Sequence, residues 1–193
     1  MSQTAENSLT SGRPPAVLPL PGGVSLRRRT LADSAALNAA VLANLDHLRP
    51  WMPWAAEAPE AAQTEEQSRA AEESWLAGTD FRYLLGLDAR PGSVIGAFGL
   101  HGRIGPGALE IGYWLDAAHT GRGHARHAVS SLTAAALALP GIARVEIHCD
   151  EANTASAAIP RRLGYRLDRI RDEVIAAPAE TGRIMVWIRS END

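Results

Sequence analysis

The sequence contains no lysine, and all 19 of its basic residues are arginine. That removes Schiff-base chemistry, which needs a lysine amine, and it removes a nucleotide-binding P-loop, whose glycine-rich turn ends in lysine. The uniform use of arginine reads as codon bias. Cysteine is nearly absent too. The one residue, Cys149, excludes an intramolecular disulfide and a cysteine-rich metal cluster. It also fits a reducing compartment, so the expected location is the cytoplasm. Its place in the alternating run Val145, Ile147, Cys149 marks a small core side chain rather than a nucleophile.

Long apolar runs are missing as well. Stretches such as Leu132–Leu139 are far shorter than the roughly 20 residues that cross a bilayer, and Met1–Leu20 has no basic start followed by an apolar stretch. A formal net charge of −3 argues against a nucleic-acid surface, which is normally basic. What the 193 residues do have is 46% hydrophobic and 21% charged side chains, enough for one ordinary buried core.

Met1–Pro21 is rich in Ser, Pro, Thr and Gly without periodicity and reads as a flexible N-terminal arm, leaving 22–193 as a single domain. Val24–Arg28 reads as a strand, and Thr30 with Asp33 resembles a capping box that opens a helix to about Leu45. The following Arg49-Pro-Trp-Met-Pro-Trp-Ala55 cannot form a regular helix, while Trp51 and Trp54 offer large apolar surfaces. Thr64–Leu76 is helical, with Thr64 as the expected N-cap. Strands follow at Phe81–Leu87, Ser93–Leu100 and Leu109–Leu115 with only turns between them, which predicts antiparallel pairing.

The pattern then changes. Gly121–Leu137 has helical period, Val145–Cys149 alternates as a strand, and the pair with Leu109–Leu115 makes one βαβ unit with parallel neighbours. Asn153–Arg162 is a short helix, and Tyr165–Ile170 and Arg183–Ile188 complete the chain as strands. The expected fold class is α+β: a mixed, mostly antiparallel sheet of about seven strands flanked by helices.

The chemical signal is Glu110-Ile-Gly-Tyr-Trp-Leu115 followed by Thr120-Gly-Arg-Gly-His-Ala125. A strand running into a glycine-rich turn that opens a helix exposes backbone N–H groups at the positive end of a helix dipole, a natural cradle for a diphosphate. A dinucleotide-binding turn would need a third glycine and an early parallel strand, and neither is present.

Together with Asn153-Thr-Ala-Ser-Ala-Ala-Ile-Pro-Arg-Arg-Leu-Gly-Tyr165, these segments resemble the GNAT acetyltransferase superfamily, nearest its RimJ/RimL-like branch. The family's turn, Gln/Arg-x-x-Gly-x-Gly/Ala, is matched at Gly123 and Ala125 and departed from at Thr120. The resemblance implies an N-acetyltransferase moving acetyl from acetyl-CoA, with no metal, to a primary amine on a protein N-terminus or a small molecule. It implies that Gly121, Arg122, Gly123, His124 and Ala125 hold the CoA diphosphate through their amides. The backbone of Tyr113, Trp114 and Leu115 would pair with the pantetheine arm, and Asn153 would bond that arm. Ser156 would protonate the departing thiolate, since Pro160 stands where many relatives carry an acid tyrosine.

A base is needed to take the amine proton. Glu110 and His148 are the candidates, the first at the start of the strand beside the thioester and the second on the next strand. Trp51 and Trp54 would form one wall of the acceptor pocket. Other features are read more plainly. The run from Glu57 to Asp80 holds seven acidic residues against Arg69 alone and reads first as a solvated helix face. Arg161 and Arg162 either meet the CoA 3′-phosphate or favour the C-terminal end of their helix dipole. Use of a bulkier acyl-CoA, and a non-catalytic CoA-binding sensor, are the alternatives; intact Glu110, Asn153 and Ser156 weigh against the second. Membrane and nucleic-acid partners are not expected, and homodimerisation is left open.

Overall fold

The computed structural model describes residues 12–190. Its centre is one eight-stranded sheet in the order β1-β2-β3-β4-β5-β6-β8-β7. The strands are β1 (Val17–Leu20), β2 (Val24–Arg28), β3 (Asp80–Leu87), β4 (Gly96–His101), β5 (Ala108–Leu115), β6 (Arg144–Asp150), β7 (Arg166–Asp172) and β8 (Arg183–Ser190). The helices are α1 (Ser34–Ala43), α2 (Leu45–Leu48), α3 (Ala61–Ala77), α4 (His124–Leu137) and α5 (Thr154–Arg162). All neighbours run antiparallel except β5 and β6, which α4 joins as a parallel pair.

Alternation along the strands divides the apolar residues between two faces. Phe81, Tyr83, Leu109, Ile111, Val145 and Ile147 pack with Val129 and Leu132 of α4 and Trp75 of α3. On the other face Leu84 and Trp114 pack with Leu37 and Val41 of α1 and Leu48 of α2.

Four expectations are corrected. The arm expected over residues 1–21 falls partly outside the described residues, but Val17–Leu20 is a strand paired with β2. Tyr83 Oη donates to the Pro15 carbonyl at 2.8 Å, and Arg13 donates from Nε to the Trp75 carbonyl at 3.0 Å, so this stretch is tied to the core. Pro19 is tolerated because β1 is the outer edge strand, where a missing N–H need not break a ladder. This strand brings the total to eight.

Thr64 does not cap α3. The helix begins at Ala61 behind Glu60, and the buried Thr64 hydroxyl instead donates to the Glu60 carbonyl and accepts from Asn38. Ser93 lies before β4, its Oγ accepting the Leu87 N–H at 2.9 Å across the turn. The Thr30 and Asp33 pairing does form, with the Asp33 carboxylate accepting from the Thr30 N–H at 2.8 Å, but it opens a single 3-10 turn before α1.

Candidate active site

The parallel ladder between β5 and β6 is short. It pairs Ala108 with Arg144, Leu109 with Val145 and Glu110 with Glu146, and goes no further. β5 continues to Leu115 paired only with β4 on its other side, through Tyr113 with Phe98, Trp114 with Ala97 and Leu115 with Gly96. Beyond Glu110, therefore, the β6-facing edge of β5 has no ladder partner among the described residues. Unpaired strand edges seek an extended chain to bond.

The cleft opens into a cavity of about 970 Å³. Ile111–Trp114 line it from β5, His148–Asp150 from β6, and Asn153 and Ser156 from the start of α5. Trp51 and Trp54 line the same cavity from the segment after α2, where the two prolines restrict helix to the 3-10 turn Pro53–Ala55. Trp54 is 51% exposed, so its indole is available to an incoming molecule. Both tryptophans thus face the same cavity.

The glycine-rich turn stands past the end of β5. Gly121 and Gly123 take φ of +73° and +82°, and Gly123 is the N-cap of α4, whose first residue is His124. Alternating left-handed glycines turn successive N–H groups to one side, and the helix dipole adds positive potential there. The helix starts three residues later than the periodicity predicts because these two glycines occupy left-handed conformations. Arg122 bonds the Ala118 carbonyl at 3.0 Å. His124 is buried beside the β1–β2 turn, and burial together with His119, Arg122 and His127 holds its pKa below the ordinary imidazole value. Ala125 packs against the main core. The amides, rather than the side chains, are what this turn offers an anion.

Asn153 is the N-cap of α5, its side-chain oxygen accepting the Ser156 N–H at 3.0 Å. Ser156 Oγ lies 3.1 Å from Tyr113 Oη, and the tyrosine hydroxyl also donates to the Ser156 carbonyl at 3.3 Å. Burial pushes the Tyr113 phenol upward, so it stays protonated. The sequence reading used only the backbone of Tyr113 and missed this hydroxyl, which the alternation of β5 aims at α5. Cys149 faces the same corner, and burial pushes its thiol up to about 11, which agrees with an inert side chain. The Trp114 ring packs under α1 and α2.

Glu110 is buried and held by two hydrogen bonds from Arg103, 2.8 Å from Nε and 2.7 Å from Nη2. Burial alone would raise its pKa, but the Arg103 bonds and the charges of Arg103, His148 and His101 outweigh it and hold the carboxyl below its usual range. His148 Nε2 is 2.7 Å from Glu146, while Nδ1 is 3.9 Å from Glu110 and 3.5 Å from an Arg171 nitrogen. The two base candidates therefore share one side of the sheet, and each is already engaged. Arg161, by contrast, stacks over the Trp187 ring at 5.5 Å.

The acetyltransferase (GNAT) domain model matches residues 24–166. No curated protein matches the chain by sequence alone. Among solved structures, RimL, a ribosomal-protein alpha-N-acetyltransferase in complex with coenzyme A, aligns with a TM-score of 0.81 at 22% identity, covering 90% of this chain and 97% of that one. RimJ of Mycobacterium smegmatis in complex with a CoA disulfide aligns with a TM-score of 0.81 at 22% identity, covering 93% and 88%. MccE, a microcin self-immunity acetyltransferase in complex with acetyl-CoA and AMP, aligns with a TM-score of 0.77 at 19% identity, covering 95% and 98%. Matched by that domain model over most of its length, and built on the same fold as these enzymes, the chain belongs to the GNAT family of acetyl-CoA-dependent acetyltransferases.

Proposed function

We propose that this enzyme acetylates the α-amine of a protein or peptide N-terminus in the cytoplasm. The observation that carries the reading is the cleft between β5 and β6, which opens beside a diphosphate-sized turn and leads into a cavity walled by exposed tryptophan. An extended peptide can lie along such a wall with its backbone stacked on indole faces. The similarity to ribosomal-protein acetyltransferases supports the same acceptor class, and the single buried thiol of Cys149 suits a reducing compartment.

In this reading the amides of Gly121–Ala125 hold the diphosphate, and the open edge of Ile111–Leu115 pairs with the pantetheine arm. Alignment of amine and thioester in the cleft supplies much of the rate, because it removes the entropy cost of bringing two reactants together. An N–H of the Tyr113–Leu115 segment polarises the thioester carbonyl and stabilises the developing oxyanion. The Ser156 and Tyr113 hydroxyls lie together at the α5 side of the cleft, where they donate a proton toward the departing sulfur.

The test is release of free thiol from acetyl-CoA with a panel of acceptors: Ser-, Ala- and Met-led peptides, free amino acids and an aminoacyl nucleotide analogue. Peptides with a free α-amine are expected to be consumed, and their N-acetylated forms are expected to be inert. Turnover confined to the small molecules would replace the acceptor class, and substitution of bulkier acyl-CoA donors checks the acyl group. Tight CoA binding without release for any acceptor would favour a sensor.

A further inference from the structure

A third imidazole faces the acceptor cavity, and the sequence reading passed over it. His101 ends β4, directly opposite Glu110 of β5. Its Nδ1 lies 2.6 Å from Asp80 Oδ2, on the neighbouring β3, so the ring is fixed by a carboxylate that is itself held by Arg82 at 3.0 Å. The ring lies over Gly99. A β-carbon placed at Gly99 would overlap it at Nε2 and Cε1, and one at Gly112 would stand 3.2 Å from Nε2. Gly99 and Gly112 are a cross-strand pair, and together they leave the space the ring occupies. Nε2 thereby sits over the Gly99 and Gly112 pair, and Gly112 is two residues past the last β5–β6 rung. Among the described residues it has no hydrogen-bond partner, and His101, Gly99 and Gly112 all line the acceptor cavity.

The other base candidates are committed elsewhere. Both oxygens of Glu110 accept from Arg103. His148 has Glu146 on one nitrogen and the Arg171 guanidinium near the other. A general base must present a lone pair to the reacting amine. Building on the acetyltransferase reading above, we propose that His101 is the general base for the acceptor amine, with Asp80 fixing the tautomer that carries its proton on Nδ1 and leaves Nε2 bare.

The step balances without any further reactant. The attacking nitrogen gives a proton to Nε2 as its lone pair forms the C–N bond to the acetyl carbon. The C–S bond then breaks, its electron pair leaves on sulfur, and a proton from the Ser156 and Tyr113 hydroxyls or from solvent completes the free thiol. The Asp80 carboxylate faces the imidazolium formed in this step and stabilises it. The charged and titratable groups on this side of the cavity are Asp80 and Arg82 from β3, Arg29 across the cavity, Arg103 from the β4–β5 turn, Glu110 from β5 and His148 from β6.

Two measurements decide the matter. With an Ala-led peptide as acceptor, His101→Gln is expected to lower kcat/KM by about 100-fold or more, with the KM for acetyl-CoA within about twofold. Asp80→Asn, which keeps the side-chain shape, is expected to cost about tenfold. A loss under about threefold, or a loss that falls on the peptide KM alone with kcat unchanged, overturns the assignment.

The second measurement needs no acceptor. Nitrogen NMR of histidine-labelled protein with CoA bound is expected to show His101 protonated on Nδ1 and bare on Nε2, and the opposite tautomer overturns the assignment. Calorimetry with CoA separates failure of the parent reading, because a protein that binds no CoA is no acetyltransferase whatever its histidines do.

Discussion

Removing Arg103 tests how Glu110 is held. In Arg103→Met the buried carboxylate loses two charge-assisted hydrogen bonds of 2.7 and 2.8 Å, while the methionine keeps the apolar stem. Such bonds are each worth about 1.5–3 kcal/mol when both partners are shielded. Glu110 has a side chain only 9% exposed, but that of Arg103 is 63% exposed, so water screens one end of the pair. The lower end is therefore appropriate for the two together, about 1.5–2 kcal/mol at neutral pH. For a chain of this size that corresponds to a Tm lower by roughly 3–8 °C.

The pH dependence has a definite sign. A carboxyl whose folded pKa is depressed contributes stability that is complete above its unfolded value, about 4.3, and is lost as pH falls through the folded value. The gap between wild type and variant should thus be full above about pH 5 and should close in more acid solution. Urea unfolding at several pH values measures it, and a cycle with Glu110→Gln isolates the pair. A coupling below about 0.3 kcal/mol, or a gap that does not change with pH, would refute the reasoning.

Other expectations follow from the same geometry. Gly123→Ala forces a side chain into a left-handed conformation at φ +82°, costing about 1–2 kcal/mol of stability, and calorimetry should show CoA affinity reduced about tenfold. Ser156→Ala and Tyr113→Phe should each lower kcat by about three- to tenfold and the double variant by little more than the worse single one, because the two hydroxyls act on the same sulfur; steady-state rates would show additive losses if they did not. Trp54→Ala should raise the acceptor KM by about fivefold or more while leaving the acetyl-CoA KM unchanged, which initial rates in a two-substrate matrix resolve.

Much of this fold was legible where local chemistry agrees with the tertiary environment. β2 runs from Val24 to Arg28 as its alternation predicts, and the βαβ unit around α4 follows from a strand, two glycines and a helical period. The glycine-rich turn before α4 was legible for the same reason, since glycine at positive φ is a local requirement. β1 was not, because Pro19 and Pro21 read as punctuation until the position of the strand at the sheet edge is known. The N-cap of α3 was misplaced because the Thr64 hydroxyl serves a bond to Asn38, 26 residues away, which sequence spacing does not reveal.

The acceptor side of the site was hidden in a comparable way. His101 falls just past the strand expected over Ser93–Leu100, and only pairing of β3 with β4 sets Asp80 beside it. Tyr113 was visible as part of a strand, yet its hydroxyl becomes chemically meaningful only when α5 folds back and delivers Ser156 to it. Glu110 was found from its place in the motif, whereas the guanidinium that engages it comes from a turn with no signature of its own.

In the function proposed, main-chain amides at the start of α4 grip the CoA diphosphate. Calorimetric titration of the same protein with coenzyme A and with pantetheine, which has the arm and thiol but no diphosphate, tests it most directly. Coenzyme A is expected to bind at least about 100-fold more tightly, a difference of about 2.7 kcal/mol, and Gly123→Ala is expected to narrow the gap. Equal affinity for the two compounds, or a gap that Gly123→Ala leaves untouched, would contradict it.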